Sequence, residues 1–171
     1  MRKRLSIISS TGAKSVNHQG VGGGTEKADF SGSELSALLS GLGREATDWV
    51  FYAYGCRSES KTVSRLVSIV AKAITIRHVK IELQAACRIV RMVFGELSSL
   101  PCKRCGGDGC EHCCYTGTAQ LSNRKRAEFL EIPKSTYSQK KVVFESAISD
   151  IRLIVSNWED AASKTIRKNS M

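Results

Sequence analysis

Aromatic residues make up only 6% of this 171-residue chain, too few for a large aromatic-rich β-sandwich. Proline occurs twice, at Pro101 and Pro133, and both positions coincide with apparent element boundaries. No apolar run approaches the roughly 20 residues that a membrane-spanning helix needs, so no membrane partner is expected. The opening "MRKRLSII" is basic and then apolar, but its apolar run is too short for a secretory signal, and a cytoplasmic location is expected. Catalytic patterns are also missing. There is no Ser/His/acid set and no carboxylate pair. "GVGGG" at 20–24 lacks the Lys-Ser/Thr ending and the preceding strand of a phosphate loop, and reads as linker. No catalytic residue is assigned, and the chain is not expected to be an enzyme.

Acidic residues are outnumbered, 16 against 26 basic ones, for a net charge of +10. Such an excess favours a polyanionic partner. It is concentrated between Thr118 and Phe144, where six basic residues face only Glu128 and Glu131. Hydrophobic residues make up 42% of the chain, enough for a core.

The pattern along the chain divides it into four. Residues 1–32, with the stretch "HQGVGGGTEKADFSGS", show no period and read as a flexible arm. Residues 33–100 read as helical. Ser33 is placed to cap a helix carrying Leu35, Leu38, Leu39 and Leu42, interrupted at Gly41 and Gly43, and a second helix runs to Gly55. Residues 62–98 carry the strongest helical period, and the span is expected to divide near "TIRHV" at 75–79, where β-branched residues cluster. Arg65, Lys72, Arg88 and Arg91 lie between the apolar positions, as a solvated face or a basic groove. Residues 101–117 hold the cysteine cluster. Residues 118–168 read as short helices over 122–149 and a final amphipathic helix over 145–166, with a fraying tail. The fold class is therefore mainly α: a helical domain with a small four-cysteine knuckle inserted before a helix-turn-helix-like segment and a C-terminal helix.

Five of the seven cysteines fall within "CKRCGGDGCEHCCYTG", residues 102–117. Cys102, Cys105, Cys110 and Cys113 have the spacing C-x2-C-x4-C-x2-C. Each C-x-x-C turn presents two thiolates to one ion, and two such turns complete a tetrahedral zinc site with Zn–S distances of about 2.3 Å. The stretch is also an internal repeat, two consecutive C-x-x-C-x-x-x-G units. The repeat places Cys114 outside the ligand set, and His112, between two ligands, explains it less well than the four thiols do. Disulfides do not suit a chain without a secretion signal. A redox C-x-x-C normally stands singly, and here it is doubled. One structural Zn2+ is expected. A closed four-thiolate site leaves no position for a reacting water, and zinc sites of this kind contribute on the order of 10 kcal/mol to local folding. Cys56 and Cys87 lie in helical stretches and are expected to pack.

"NRKRAEFLEIPKSTYSQKKVVF", from Asn123, resembles a helix-turn-helix. Ala127 is small where a second helix must approach, Leu130 and Ile132 anchor the turn, Pro133 opens the second helix, and Tyr137 faces inward. Two positions depart from the pattern: Glu131 stands where glycine is frequent, and Lys140 where an apolar residue is usual.

Together, the doubled cysteine units and the basic segment leading through "TYSQKKVVFESAISDI" to "NWEDAA" resemble the late-gene antitermination Q proteins of lambdoid phages, of the zinc-containing kind. The likeness is most specific over 100–162. It implies a protein of the host bacterial cytoplasm that binds double-stranded DNA near a phage late promoter. Such a protein engages host RNA polymerase holoenzyme and modifies it to read through pauses and terminators. By that analogy Lys134, Ser135, Ser138, Gln139, Lys140 and Lys141 are expected to contact DNA, with Arg124 and Arg126 on phosphates. No motif marks the polymerase-contacting surface, and the sequence leaves the oligomeric state open. The four-residue link between the cysteine pairs is shorter than the hairpin of other relatives. Two further readings stand beside this one: a zinc-dependent DNA-binding regulator without antitermination activity, and a protein-binding zinc module of the DnaJ type. The second is weakened by the presence of only two abutting units and by the lack of an "HPD"-bearing J-domain.

Overall fold

Every regular element among the described residues is a helix. The computed structural model describes residues 36–54, 60–98 and 121–169. The expectations for Ser33, Leu35, Cys56, the arm at 1–32 and the whole cysteine cluster lie outside those residues.

A short helical turn at 36–38 leads through Gly41, whose φ of 85° is the left-handed conformation that glycine tolerates best, into α1, Arg44–Tyr54. Helix α2 is Ser60–Arg77. Leu66, Val67, Val70, Ala71 and Ile74 recur at three- and four-residue steps along it, and all are buried. The helix stops where the sequence predicts. The Thr75 hydroxyl turns back to the Lys72 carbonyl at 2.9 Å. The Ile81 amide then closes a turn on the His78 carbonyl at 2.9 Å, and the His78 ring meets the Asp150 carboxylate at 3.0 Å. Helix α3, Leu83–Ser98, buries a broad apolar band from Ala86 to Leu97 and packs most extensively on α2.

Helices α4, Asn123–Phe129, and α5, Lys134–Gln139, are short. Helix α6, Lys141–Asn169, is the longest element. It begins four residues before the predicted start, because the Phe144 amide already bonds the Lys140 carbonyl at 3.1 Å. It also takes in the first three residues of the expected fraying tail: the Asn169 side-chain amide donates to the Leu38 and Ser40 carbonyls at 2.9 and 3.1 Å.

One apolar core extends from Trp49 on α1 to Val155 on α6. Residues of both 33–100 and 118–168 belong to it. Trp49, Tyr52, Phe94 and Trp158 gather within it. The Trp49 ring lies 4.9 Å from Phe94 and 6.4 Å from Trp158, and its Nε1 donates to Glu159 Oε1 at 3.2 Å. A second cluster of Leu39, Val50, Ala162 and Ile166 fastens the end of α6 to α1. Among the described residues, no helix is long and apolar enough to cross a membrane.

Candidate nucleic-acid interface

The basic segment begins at a helix cap. The Ser122 hydroxyl accepts from the Lys125 amide at 3.4 Å, satisfying one of the free donors at the start of α4. The far end of α4 closes as a Schellman motif: the Ile132 amide bonds the Ala127 carbonyl and the Glu131 amide bonds the Glu128 carbonyl, both at 3.1 Å. The residue in the left-handed position is Glu131, with φ of 57°. A non-glycine residue there costs about 1 kcal/mol. Its side chain explains its presence. Arg88 on α3 pairs with the Glu131 carboxylate at 2.8 Å and donates to the Leu130 carbonyl at 3.1 Å. Arg88 therefore belongs neither to an open groove nor to a solvated face. It clamps the turn onto α3. Arg65 is likewise committed, to Asp48 of α1.

Pro133 sits at the N-cap of α5, one residue ahead of the helix, and its carbonyl accepts from the Tyr137 amide at 3.0 Å. The inward register expected from the sequence holds at Ala127, Leu130 and Tyr137, all buried, and Ile132 is half-buried against the same core. The Tyr137 ring stacks on Phe144 at 5.4 Å. Burial raises its phenol above the ordinary value, and the Glu145 carboxylate, which accepts the phenol proton at 3.0 Å, pushes the same way against Arg126.

Beneath the turn lies a charged cluster. The Arg126 Nε and one terminal nitrogen donate to the two oxygens of Glu96 at 3.0 and 3.3 Å. Its other terminal nitrogen donates to Glu145 at 2.8 Å. Arg152 donates to Glu96 at 2.8 Å, and the Leu121 amide does so at 3.1 Å. Burial works to lower the Arg126 pKa, but the attraction and hydrogen bonds of Glu96, aided by Tyr137 and Glu145, raise it overall, and the guanidinium stays charged. Arg126 and Glu96 are buried, and the half-buried Arg152 and Glu145 pair with them.

This corrects one expected contact. Arg126 is 3% exposed, and its guanidinium is spent on carboxylates, so it is not available to a phosphate. It lies four residues before Leu130 and hence on the same inward face of α4, a signal the sequence did carry. The other seven expected contacts, Arg124, Lys134, Ser135, Ser138, Gln139, Lys140 and Lys141, are exposed. Arg124 pairs with Glu128 at 3.1 Å, but an exposed pair of this spacing is worth only about 0.3–0.5 kcal/mol, too little to hold it from a stronger anion. Residues that sequence reasoning did not single out, Glu96 and Glu145, hold this surface in place.

Cys102, Cys105, Cys110 and Cys113 lie outside the described residues. Helix α3 ends at Ser98, and the amide of Leu121, where the chain is described again, donates to Glu96 in the last turn of α3. Cys87 is half-buried and packs on the core. Among the described residues, no three His, Cys, Asp or Glu side chains are grouped to hold a metal. No family model, curated protein or solved structure matches the chain.

Proposed function

We propose that this chain is a transcription antitermination factor. It binds duplex DNA through the outer face of α4, α5 and the first turn of α6, carries one structural zinc on Cys102, Cys105, Cys110 and Cys113, and acts on RNA polymerase. The observation that carries the reading is the sorting of side chains over 122–141. Apolar and paired groups (Ala127, Leu130, Tyr137, Arg126) face the core, while Lys134, Ser135, Ser138, Gln139, Lys140 and Lys141 are turned to solvent. Hydroxyl and amide groups near the front of a short helix suit base edges, and flanking lysines suit phosphates. The segment has the order of a helix-turn-helix, with Arg88 and Glu131 replacing the freedom that glycine gives its turn.

The four thiols fit zinc by donor chemistry, since two C-x-x-C pairs supply a full tetrahedral set. When bound, the ion supplies a cross-link, not a reactive centre. The sequence resemblance to zinc-containing Q proteins supplies the step from DNA binding to elongation.

The test is purified transcription on a template bearing the protein's own late promoter and a downstream terminator. The expected result is increased readthrough that depends on that promoter. Site-specific binding with unchanged readthrough would leave a DNA-binding regulator, and binding to unfolded polypeptide without a DNA footprint would leave a chaperone-like module.

A further inference from the structure

The large apolar side chains left exposed are not scattered. Of the seven among the described residues, Ile69, Ile76, Val79 and Leu83 belong to the α2–α3 hairpin, and Ile76 and Val79 are the most open but for Val142, at 81% and 90% exposure. Ile69, Lys72 and Ile76 follow one another at helical steps of three and four, so they share one outer face of α2. Val79 lies three residues further on, where the backbone is still helical enough for the His78 amide to bond the Ile74 carbonyl at 2.8 Å. This turn is not loose: His78 and Arg77 both reach Asp150 of α6, at 3.0 and 3.7 Å.

The exposed charge on this hairpin is mostly basic. The hairpin exposes Lys61, Lys72, Arg77, Lys80 and Arg91, and against them a single exposed acid, Glu82. Nucleic acid would use the cations, but Ile76 and Val79 can neither donate to phosphate nor stack on a base. A second copy of the chain would bring like charges together. An acidic helix with its own apolar stripe satisfies both features at once, apolar side chains on the stripe and carboxylates on the lysines.

We propose that the outer face of the α2–α3 turn is a docking site for an acidic amphipathic helix of a protein partner. The proposal is independent of DNA binding by α4 and α5.

The probe is a fluorescein-labelled helical peptide with leucine at every third or fourth position and glutamate between, followed by anisotropy against the full chain. Saturable binding is expected. The Ile76→Ser/Val79→Ser variant should weaken it about tenfold, and the Lys72→Glu/Lys80→Glu variant by a similar factor. Both pairs are solvent-exposed, so the thermal unfolding midpoint should stay in place. The lysine counterpart of the peptide should not bind. Absence of saturable binding, or equal affinity in the variants, overturns the proposal. It is also overturned if the Ile76→Ser/Val79→Ser variant abolishes self-association in sedimentation, or weakens a duplex DNA oligonucleotide as much as the peptide.

Discussion

Arg126 and Glu96 face one another as a two-bond pair, at 3.0 and 3.3 Å, inside the protein. The pair joins α4, which opens the basic segment, to the last turn of α3. Bringing these charges out of water is costly, so the pair is not a source of net stability. Its value is directional. A forked guanidinium that meets Glu96 and Glu145 together holds α4 at one angle to α3 and α6. Arg126→Met is expected to destabilise the chain by about 3–5 kcal/mol, because it removes the two-bond partner of the buried Glu96 carboxylate. Arg126→Lys should cost less but still weaken the chain, since an ammonium cannot bridge both acids in the same way. Urea unfolding measures both. In the folded Arg126→Met protein, the salt dependence of DNA binding should match that of the wild type, and a slope reduced by about one would return Arg126 to the phosphate contacts.

The turn at Glu131 allows a comparison of two small terms. Glu131→Gly removes a left-handed strain of about 1 kcal/mol and a partly exposed ion pair worth at most about 1 kcal/mol. The net change in unfolding free energy should stay within about 1 kcal/mol. Arg88→Ala loses the same pair and also the donor to the Leu130 carbonyl, with no relief of strain. It should cost about 1–2 kcal/mol. Chemical denaturation of the two variants should rank them in that order.

Tyr137 sets an alkaline limit. The folded chain holds the phenol proton to higher pH than the unfolded chain does, chiefly through burial. Its contribution is therefore complete below the unfolded value of about 10, and is lost as pH rises through the folded value. Stability of the wild type should fall over that window more steeply than that of Tyr137→Phe, which has no proton to lose. Ultraviolet difference titration should show one more late-ionising phenol in the wild type than in Tyr137→Phe.

DNA binding separates the exposed residues by role. Gln139→Ala should weaken one specific site by about 1–3 kcal/mol and relax preference at one base pair. Lys141→Ala should weaken all duplexes alike and lower the salt slope by about one. Anisotropy over a range of salt, on specific and scrambled duplexes, distinguishes these outcomes. An unchanged slope for Lys141→Ala would mean its ammonium is only solvated.

Zinc content tests the ligand set. Cys105→Ser should lose the ion, whereas Cys114→Ser should keep one zinc per chain, because the repeat leaves Cys114 outside the pairs. Metal analysis of the two purified variants decides between this set and one that uses Cys114.

Much of the helical fold was legible in the chain itself. The period of Leu66, Val67, Val70 and Ile74, the β-branched break at 75–79, and the inward set of Ala127, Leu130 and Tyr137 all follow from which side chains avoid water at helical spacing. The start of α6 was less legible. Lys140, Lys141 and Val142 carry no cap signal, and the helix begins there through backbone bonding alone.

Charge was read least well. As a string, "NRKR" is three cations on one stretch, and nothing local marks Arg126 as different from Arg124 or Lys125 beyond its step of four from Leu130. Its partners stand 30 residues before it and 19 after. The same holds for Arg88, whose acid is Glu131 in the turn between α4 and α5. Local hydrophobic order is written in neighbouring residues, because a helix repeats every few positions. The fate of a charge depends on which distant carboxylate the packed core brings within about 3 Å, and only the tertiary structure determines that distance.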